Sequence, residues 1–181
     1  MPTNTAENLV WMDLEMTGLE PETDQIIEIA TVITDSQLNL IAEGPVLAIS
    51  QSVETLEAMD EWNTTHHSQS GLWDRVLNQS VSLEQAEKLS LDFIKRHCDL
   101  KSSPLCGNSI GQDRRFLYKY MPTLSEYLHY RNVDVSTIKE LSKRWYPNFT
   151  PFKKAGVHRA LDDILESIHE LKYYKDSLFK D

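Results

Sequence analysis

The stretch Leu9–Leu19 reads LVWMDLEMTGL, and two acids, Asp13 and Glu15, interrupt its apolar run. The apolar residues favour a buried β-strand, in which side chains two positions apart project from one face. Asp13 and Glu15 would therefore emerge side by side, whereas Leu14 points to the opposite face. Adjacent negative charges in a core are costly unless a cation joins them. Because carboxylate oxygens suit hard divalent cations, the stretch predicts a site for Mg²⁺ or Mn²⁺.

The same two acids have a second interpretation, because a strand end often turns its polar face to water. Thr17-Gly18 follows the strand and favours a turn, so the acids lie near the C-terminal end of the strand. Ligand sites of open α/β sheets lie at that edge. The apolar flanking residues and the position of the turn strengthen the case for a metal site, and the solvated strand end stays open as the alternative.

The composition bounds the class of protein. A chain of 181 residues, 40% of them hydrophobic, is long enough for one well-packed domain, and we expect a single domain over residues 1–181. The formal net charge of −10 argues against a protein that binds long nucleic acid, duplexes included, through many Lys and Arg contacts. A short anionic substrate is compatible with this charge, since bound metal ions supply positive charge.

The chain carries features of a cytoplasmic protein. Cys98 and Cys106 are too few for a disulfide framework, so reduced thiols are expected. The N-terminus, MPTNTAENLV, lacks the basic and apolar regions of a signal peptide. No apolar run approaches the length of a membrane span. We therefore expect a cytoplasmic location and no membrane partner.

Five strands are expected along the chain. The strand in LVWMDLEM is followed by Ile26–Thr34 and Leu38–Ile49, which are rich in β-branched residues and joined by the short turn 35–37. These three strands would form an antiparallel meander. Two shorter strands are predicted at Pro104–Gly107 and Arg131–Val135. Strands that alternate with helices indicate an α/β fold.

Helices are expected between and after these strands. The clearest is Ser82–Cys98, in which Ser82 and Gln85 have the spacing of a capping box. The other predicted helices are Ser52–Asp60 capped by Ser52, one or two within Glu61–Asn78 with Trp62 and Trp73 as possible anchors, one from about Gln112, one capped by Ser136, and Val157–Tyr174.

Further acids occur at the starts of two predicted helices. Asp113 lies in the first turn after Asn108 and Ser109, at the edge of the sheet where a ligand site is expected, although an acid there also stabilises the helix dipole. His158, Asp162 and Asp163 lie near the start of the last helix. A helical plot places neither acid in the apolar stripe and does not decide between them.

Two polar groups have both a functional and a structural interpretation. Free backbone N–H groups at the start of the helix from Ser136, with the hydroxyls of Ser136 and Thr137, predict a cradle for one phosphate, to which Arg131 would add a charge-assisted clamp. The alternative is ordinary capping by Ser136 and a surface arginine. His66 and His67 lie in a polar stretch, which favours a solvated surface pair.

Together these residues resemble a known family, the DEDDh group of 3′-to-5′ exonucleases. The motif residues are Asp13-x-Glu15 with Thr17-Gly18, Asp113 within NSIGQD, and His158 with Asp163 five positions later. Within that group the phrases DLEMTGL, CGNSIGQDRRFLYKYMP, DVSTIKEL and HRALDDI resemble the oligoribonucleases over nearly the whole chain. The resemblance implies an RNase H-like α/β fold, with a mixed five-stranded sheet flanked by helices in a single exonuclease domain.

The resemblance also implies the catalytic groups. Two divalent metal ions, Mg²⁺ or Mn²⁺, would be held by Asp13, Glu15, Asp113 and Asp163. The family spacing His-x-x-x-x-Asp selects Asp163 over Asp162, and His158 would be the general base. Two such ions can clamp the attacking water and the leaving oxygen of an in-line displacement at phosphorus.

Residues that hold a short substrate are implied in the same way. The 5′ phosphate would be bound by Ser109, Arg131, Ser136 and Thr137. The bases would meet Leu19 as a wedge between them, Trp62 and His67 as the pocket lining, and Tyr130 from the neighbouring subunit of a homodimer. His67 rather than His66 is in register with the family.

The expected activity is hydrolysis of short RNA, chiefly dinucleotides, from the 3′ end to 5′-mononucleotides. One alternative is an exonuclease of the same group that trims longer RNA or DNA. The other is a noncatalytic RNA-binding module, against which the presence of all four acids and His158 argues, because crowded negative charge has no use in such a module.

Overall fold

The centre of the sheet is the strand that carries Asp13 and Glu15, β1 (Leu9–Met16), in a computed structural model that describes residues 5–153 and 159–179. β1 pairs antiparallel with β2 (Ile26–Thr34), and β2 pairs antiparallel with β3 (Leu40–Ala48). On its other side β1 is parallel to β4 (Leu105–Gly107), which is parallel to β5 (Asn132–Asp134). The order β3-β2-β1-β4-β5 confirms the predicted mixed five-stranded sheet and its antiparallel meander.

The turn between β2 and β3 is longer than predicted. Leu38, expected as the first residue of a strand, is buried in the turn with φ 68°, a left-handed conformation that no strand contains. The carboxylate of Asp35 accepts the N–H groups of Gln37 and Asn39, each at 2.8 Å. These hydrogen bonds hold the chain in the turn for two more residues, so β3 begins at Leu40.

Two layers of helices cover the sheet. The face that presents Val10, Met12 and Leu14 packs against apolar side chains such as Ile94 and Phe116, which belong to helices α4 (Leu83–Lys95) and α5 (Gly111–Tyr120). Helix α6 (Pro122–Tyr127) lies in the same layer.

The opposite face presents Trp11, which shares a cluster with Ala160, Ile164 and Ile168. These three residues belong to α8 (Ala160–Leu178), and α7 (Val135–Trp145) packs beside it. Because Asp13 and Glu15 alternate with the same parity as Trp11, they emerge on the face that α8 covers.

The segment Glu61–Asn78 contains two helices, α2 (Glu61–Gln69) and α3 (Leu72–Asn78), after the short α1 (Val53–Glu57). Gly71, with φ 74°, separates α2 from α3. Trp73 packs against the buried cluster under α3. Trp62 is largely exposed, so the prediction that it anchors the core is wrong.

Helix ends that depend on neighbouring residues follow the prediction, since Ser52 caps α1 and Ser82 with Gln85 forms the capping box of α4. The cap of α7 is Asp134, not Ser136, because the Asp134 carboxylate accepts the N–H of Ser136 at 2.9 Å. Val135 is therefore helical rather than part of β5. Helix α8 ends at Leu178, beyond the predicted Tyr174, and the predicted start at Val157 lies outside the described residues.

Cys98 and Cys106 are both buried as free thiols. Burial raises the pKa of the Cys106 thiol well above its usual range, so its thiolate form is disfavoured.

Among the described helices, none combines the length and the apolar character that a membrane span requires.

Two substitutions in α4 test its capping box. Ser82→Ala removes the acceptor of the Gln85 N–H at 3.2 Å and should lower the free energy of unfolding by about 1 kcal/mol. Ser90→Ala is the matched control, since the Ser90 hydroxyl is buried and has no hydrogen-bond partner among the described residues. Its loss should leave stability unchanged or higher. Urea denaturation measures both, and equal losses would contradict the assignment of the cap.

Candidate active site

Three carboxylates converge between β1 and α8. Oxygen atoms of Asp13, Glu15 and Asp163 all lie within 4.8 Å of one another. β1 presents the first two on one face, and the first turn of α8 brings Asp163 against them. Asp162, which the helical plot could not separate from Asp163, instead lines a groove beside Arg159. The packing of α8 thus places one of the two adjacent acids, and not the other, in this group.

Asp113 is a fourth carboxylate at the margin of this group. It lies in the first turn of α5, is only 7% exposed, and accepts the backbone N–H of Leu14 at 2.9 Å through Oδ1. That hydrogen bond fixes its carboxylate beside the strand residue between Asp13 and Glu15. We refer to Asp13, Glu15, Asp113 and Asp163 as the acid cluster.

Burial is the largest cause of raised pKa values in the acid cluster. Burial, with the charges of Glu28 and the neighbouring acids, raises the pKa of Glu15 to about 8. Burial also raises the pKa of Asp113 to about 7, against the lowering effect of the hydrogen bond from Leu14. The pKa of Asp13 is raised by burial and then by Asp113. Carboxyl groups that retain protons near neutral pH indicate a position where a cation is favourable.

Glu28 is an acid that the sequence analysis did not single out. It lies opposite Glu15 in the β1–β2 pair, and its buried Oε1 is 2.5 Å from Nη1 of Arg75 in α3. Like charges that face each other across two strands destabilise a sheet, so the guanidinium of Arg75 offsets one of the two. The available signal was a lone acid within the apolar run IIEIATVIT, the same kind of signal that identified Asp13 and Glu15.

Ser109 and Ser136 meet beyond the edge of the sheet, with their Oγ atoms 3.0 Å apart. The N–H of Ser109 points to Ser136 Oγ at 2.5 Å and to Asp134 Oδ1 at 2.9 Å. Asp134 also accepts the N–H of Ser136, so the prediction of a free N–H at that position is wrong. The Ser136 hydroxyl also donates to Asp134 Oδ1, at 2.7 Å, so an anion at this helix end would have to replace that acceptor. The hydroxyls of Ser109 and Thr137 are exposed beside it. Asp134 also contributes to the raised pKa of Asp113, so this helix end and the acid cluster interact electrostatically.

Tyr130 and Arg131 lie together on the surface just before β5. The guanidinium carbon of Arg131 is 5.4 Å from the centroid of the Tyr130 ring, a cation–π contact. Tyr130 is 71% exposed, and Arg131 is exposed as well. Both side chains are therefore available to a ligand or to another protein chain.

His67 is buried, and the surface position inferred from its polar surroundings is wrong. It is 2% exposed, and its Nε2 is 3.1 Å from the carbonyl oxygen of Met16, the residue after Glu15. Burial lowers the pKa of His67, so its neutral form is favoured. His66 stacks instead on the exposed ring of Trp62, with centroids 4.7 Å apart.

Leu19 follows the end of β1, and its side chain is 71% exposed. Its carbonyl oxygen accepts a hydrogen bond from the side-chain amide of Gln112, in the same α5 turn as Asp113. The exposed Leu19 side chain thus lies on a loop that is fastened to the helix of the acid cluster.

His158, predicted as the general base, lies outside the described residues. The next residue, Arg159, directly precedes α8, whose first turn carries Asp163. The role of His158 stays a prediction.

Solved structures resemble this fold over most of the chain. Exonuclease I of E. coli in complex with a 5cy-dT13 oligonucleotide matches with a TM-score of 0.70 and 16% identity over 95% of this chain and 41% of that one. Exonuclease I of Methylocaldum szegediense matches with a TM-score of 0.69 and 16% identity over 94% of this chain. The chain spans 41% of the length of each of these two structures. At this identity the likeness shows the fold alone, which is the predicted RNase H-like fold.

Sequence relatives are much closer. The family model RNase_T, described as exonuclease, matches residues 10–171. The oligoribonuclease of Shewanella loihica is 59% identical over 174 residues, which are 96% of each chain. The oligoribonuclease of Pseudomonas syringae pv. syringae is 60% identical over 174 residues, 96% of this chain and 97% of its own. This chain therefore belongs to the RNase_T exonuclease family and, within it, to the oligoribonucleases.

Proposed function

We propose that the chain is a 3′-to-5′ exoribonuclease that hydrolyses short RNA, chiefly dinucleotides, to 5′-mononucleotides. The observation that carries the proposal is the acid cluster, in which four carboxylates from β1, α5 and α8 lie at one edge of the sheet. Family membership supports the reaction class, and oligoribonuclease relatives that align over nearly their whole length support the short substrate.

The donor set of the acid cluster fits hard divalent cations. The carboxylate oxygens of Asp13, Glu15 and Asp163, which lie within 4.8 Å of one another, are ligands that Mg²⁺ and Mn²⁺ prefer. Burial, with the charges of the neighbouring acids, raises the pKa of Glu15, and a bound cation would offset both effects. We propose that two such ions are held by the four acids. When bound, they would polarise the scissile phosphate and favour the ionised form of a water.

The chain's own residues position these groups. Strand pairing fixes Asp13 and Glu15, the N–H of Leu14 orients Asp113, and helix packing delivers Asp163. His158 would accept the proton of the attacking water, since imidazole titrates near neutral pH. This role rests on the family spacing between His158 and Asp163.

We further propose that Ser109, Arg131, Ser136 and Thr137 form a phosphate cradle for the 5′ end of the substrate. Support comes from the contact between the Ser109 and Ser136 hydroxyls and from the exposed guanidinium of Arg131. A closed cradle at a fixed distance from the acid cluster would limit substrate length, because a longer RNA would have to pass Arg131 with its next nucleotide. A dinucleotide has few phosphates, which is compatible with the net charge of −10.

The bases of the substrate would pack on apolar side chains near the end of β1. Leu19 and Trp62 are exposed, as a wedge and a pocket wall must be before a ligand covers them. The buried His67 would line the pocket from behind, where it contacts the Met16 carbonyl. Base stacking on such side chains tolerates any base, so little sequence preference is expected.

We also propose a homodimer, in which Tyr130 reaches the substrate of the neighbouring subunit. Tyr130 lies on a groove that is also lined by the exposed Leu100 and Tyr118, and clustered exposed apolar side chains are typical of interfaces. A monomer in sedimentation equilibrium at micromolar concentration would contradict this proposal.

A cytoplasmic location stays a prediction, which cell fractionation can check.

The substrate preference is the first prediction. With Mg²⁺ or Mn²⁺, a 5′-phosphorylated dinucleotide should be cleaved with a higher kcat/KM than either its unphosphorylated form or longer RNA. Arg131→Ala should reduce the preference for the phosphorylated form about tenfold or more, because a charge-assisted clamp is lost. Time courses on end-labelled oligomers measure both. A chain that trims long 3′ ends as fast as it cleaves dinucleotides would instead support the alternative of a trimming exonuclease, and indifference to Arg131→Ala would remove the cradle.

A pair of adjacent substitutions tests the acid cluster. Asp163→Asn should reduce kcat by about a thousandfold or more while the protein stays folded, because a carboxylate of the metal site is lost. Asp162→Asn is the matched control, since Asp162 lies in the same turn but lines the groove beside Arg159. It should keep most of the activity. Similar losses in the two variants would refute the assignment of Asp163.

Metal binding should depend on pH in a defined direction. The pKa of Glu15 is raised from 4.5 to about 8, so the metal-free folded state binds more protons than the unfolded chain between these values, and its free energy of unfolding falls as the pH rises through that range. Mn²⁺ must displace those protons. It should therefore raise the melting temperature more at pH 8 than at pH 6, and Glu15→Gln should weaken this difference. Melting curves that Mn²⁺ leaves unchanged at both pH values would count against the metal site.

A further inference from the structure

Glu170 is a carboxylate in the interior of α8 with no exposed surface. Its Oε2 accepts a hydrogen bond from Asn108 Nδ2 at 3.1 Å, and its Oε1 accepts one from the Tyr174 hydroxyl at 3.1 Å. Lys139 of α7 places its Nζ 3.6 Å from the same Oε1. A fully buried charge is tolerated only when partners of this kind surround it, so the carboxylate holds together groups from three parts of the chain.

Asn108 connects this carboxylate to the turn of α8 that carries Asp163. Its Nδ2 also donates to Ser167 Oγ at 2.9 Å, and Ser167 Oγ donates to the backbone carbonyl of Asp163 at 2.8 Å. The amide of Asn108 therefore holds the β4–α5 turn against α8. Its contact with Ser167 lies one helical turn after Asp163 of the acid cluster.

The residue after Asn108 is Ser109, whose hydroxyl belongs to the proposed phosphate cradle. Ser109 has φ 51°, a left-handed conformation that a residue with a side chain adopts only when its surroundings hold it there. Its N–H is fixed by Asp134 and Ser136 on one side. On the other side, the backbone of Ser109 is fixed by Asn108, whose side chain is hydrogen-bonded to Ser167 and Glu170.

Lys139 completes the connection, because it belongs to α7, the helix whose first turn carries Ser136 and Thr137. The carboxylate of Glu170 thus contacts the turn that leads to Ser109 and the helix that carries Ser136 and Thr137, and it belongs to the helix that supplies Asp163. It cannot reach a substrate itself, since it is fully buried.

We propose that Glu170 is a positioning residue that fixes the distance between the acid cluster and the phosphate cradle, and thereby sets the preference for the shortest 5′-phosphorylated substrates. The proposal rests on the proposed function. If the distance between the acid cluster and the cradle is no longer fixed, a dinucleotide cannot hold its 5′ phosphate in the cradle and its scissile phosphate at the acids at the same time. An unphosphorylated dinucleotide, which does not use the cradle, loses much less.

The test is the ratio of kcat/KM for a 5′-phosphorylated dinucleotide to that for its unphosphorylated form, measured in the full chain with Mn²⁺. Glu170→Met replaces the carboxylate by an apolar side chain of similar size, and the ratio should fall about tenfold or more, mainly through KM for the phosphorylated substrate. Glu170→Gln should keep most of the ratio, because its amide oxygen can still accept from Asn108. Asn108→Ala breaks the same connection from its other end and should reproduce the loss, including where Glu170→Met fails to fold.

Tyr174→Phe is the matched control. It removes the hydrogen bond that the Tyr174 hydroxyl, on α8 itself, donates to the same carboxylate, and it should leave the ratio at the wild-type value. A wild-type ratio in Asn108→Ala and in folded Glu170→Met, or an equal loss on both substrates, would overturn the proposal even if the cradle exists. A wild-type enzyme with no preference for the 5′ phosphate would instead refute the cradle, which separates the two failures.

Discussion

The mutual repulsion of the carboxylates at the end of β1 is the constraint that the rest of the structure accommodates. Asp13 and Glu15 come from a strand whose other face is wholly apolar, and α8 presses Asp163 against them. The sheet gives these acids no freedom to separate, since β1 lies between β2 and β4. The fold therefore keeps negative charge in place, and a cation that enters finds its ligands already positioned.

Features that depend on residues close in sequence could be predicted from the chain alone. The meander follows from β-branched runs and a short turn, and the capping box of α4 follows from the spacing of Ser82 and Gln85. The same reasoning failed where an aspartate close in sequence accepted backbone N–H groups that the prediction had left free or assigned to a strand. Asp134 rather than Ser136 caps α7, and Asp35 holds Leu38 in a turn.

Contacts between distant elements could not be predicted from local pattern. A helical plot of α8 left Asp162 and Asp163 equivalent, because the choice depends on how the helix lies on the sheet, and only the family spacing separated them. His67 was interpreted as a surface residue from its polar neighbours, but its ring is buried against the Met16 carbonyl. Arg75 and Glu170 gave no signal at all, since each acts through partners far away in the sequence.

The pair formed by Glu28 and Arg75 has an evolutionary consequence. Loss of Arg75 alone would leave Glu28 as an unpaired buried acid opposite Glu15, and loss of Glu28 alone would leave a guanidinium to compete for the acids of the metal site. A lineage that changes one of these residues passes through a disfavoured intermediate, whereas a joint change to uncharged residues avoids it. Alignments of oligoribonucleases should therefore show the two positions covarying, with a historical record of paired replacement rather than independent drift.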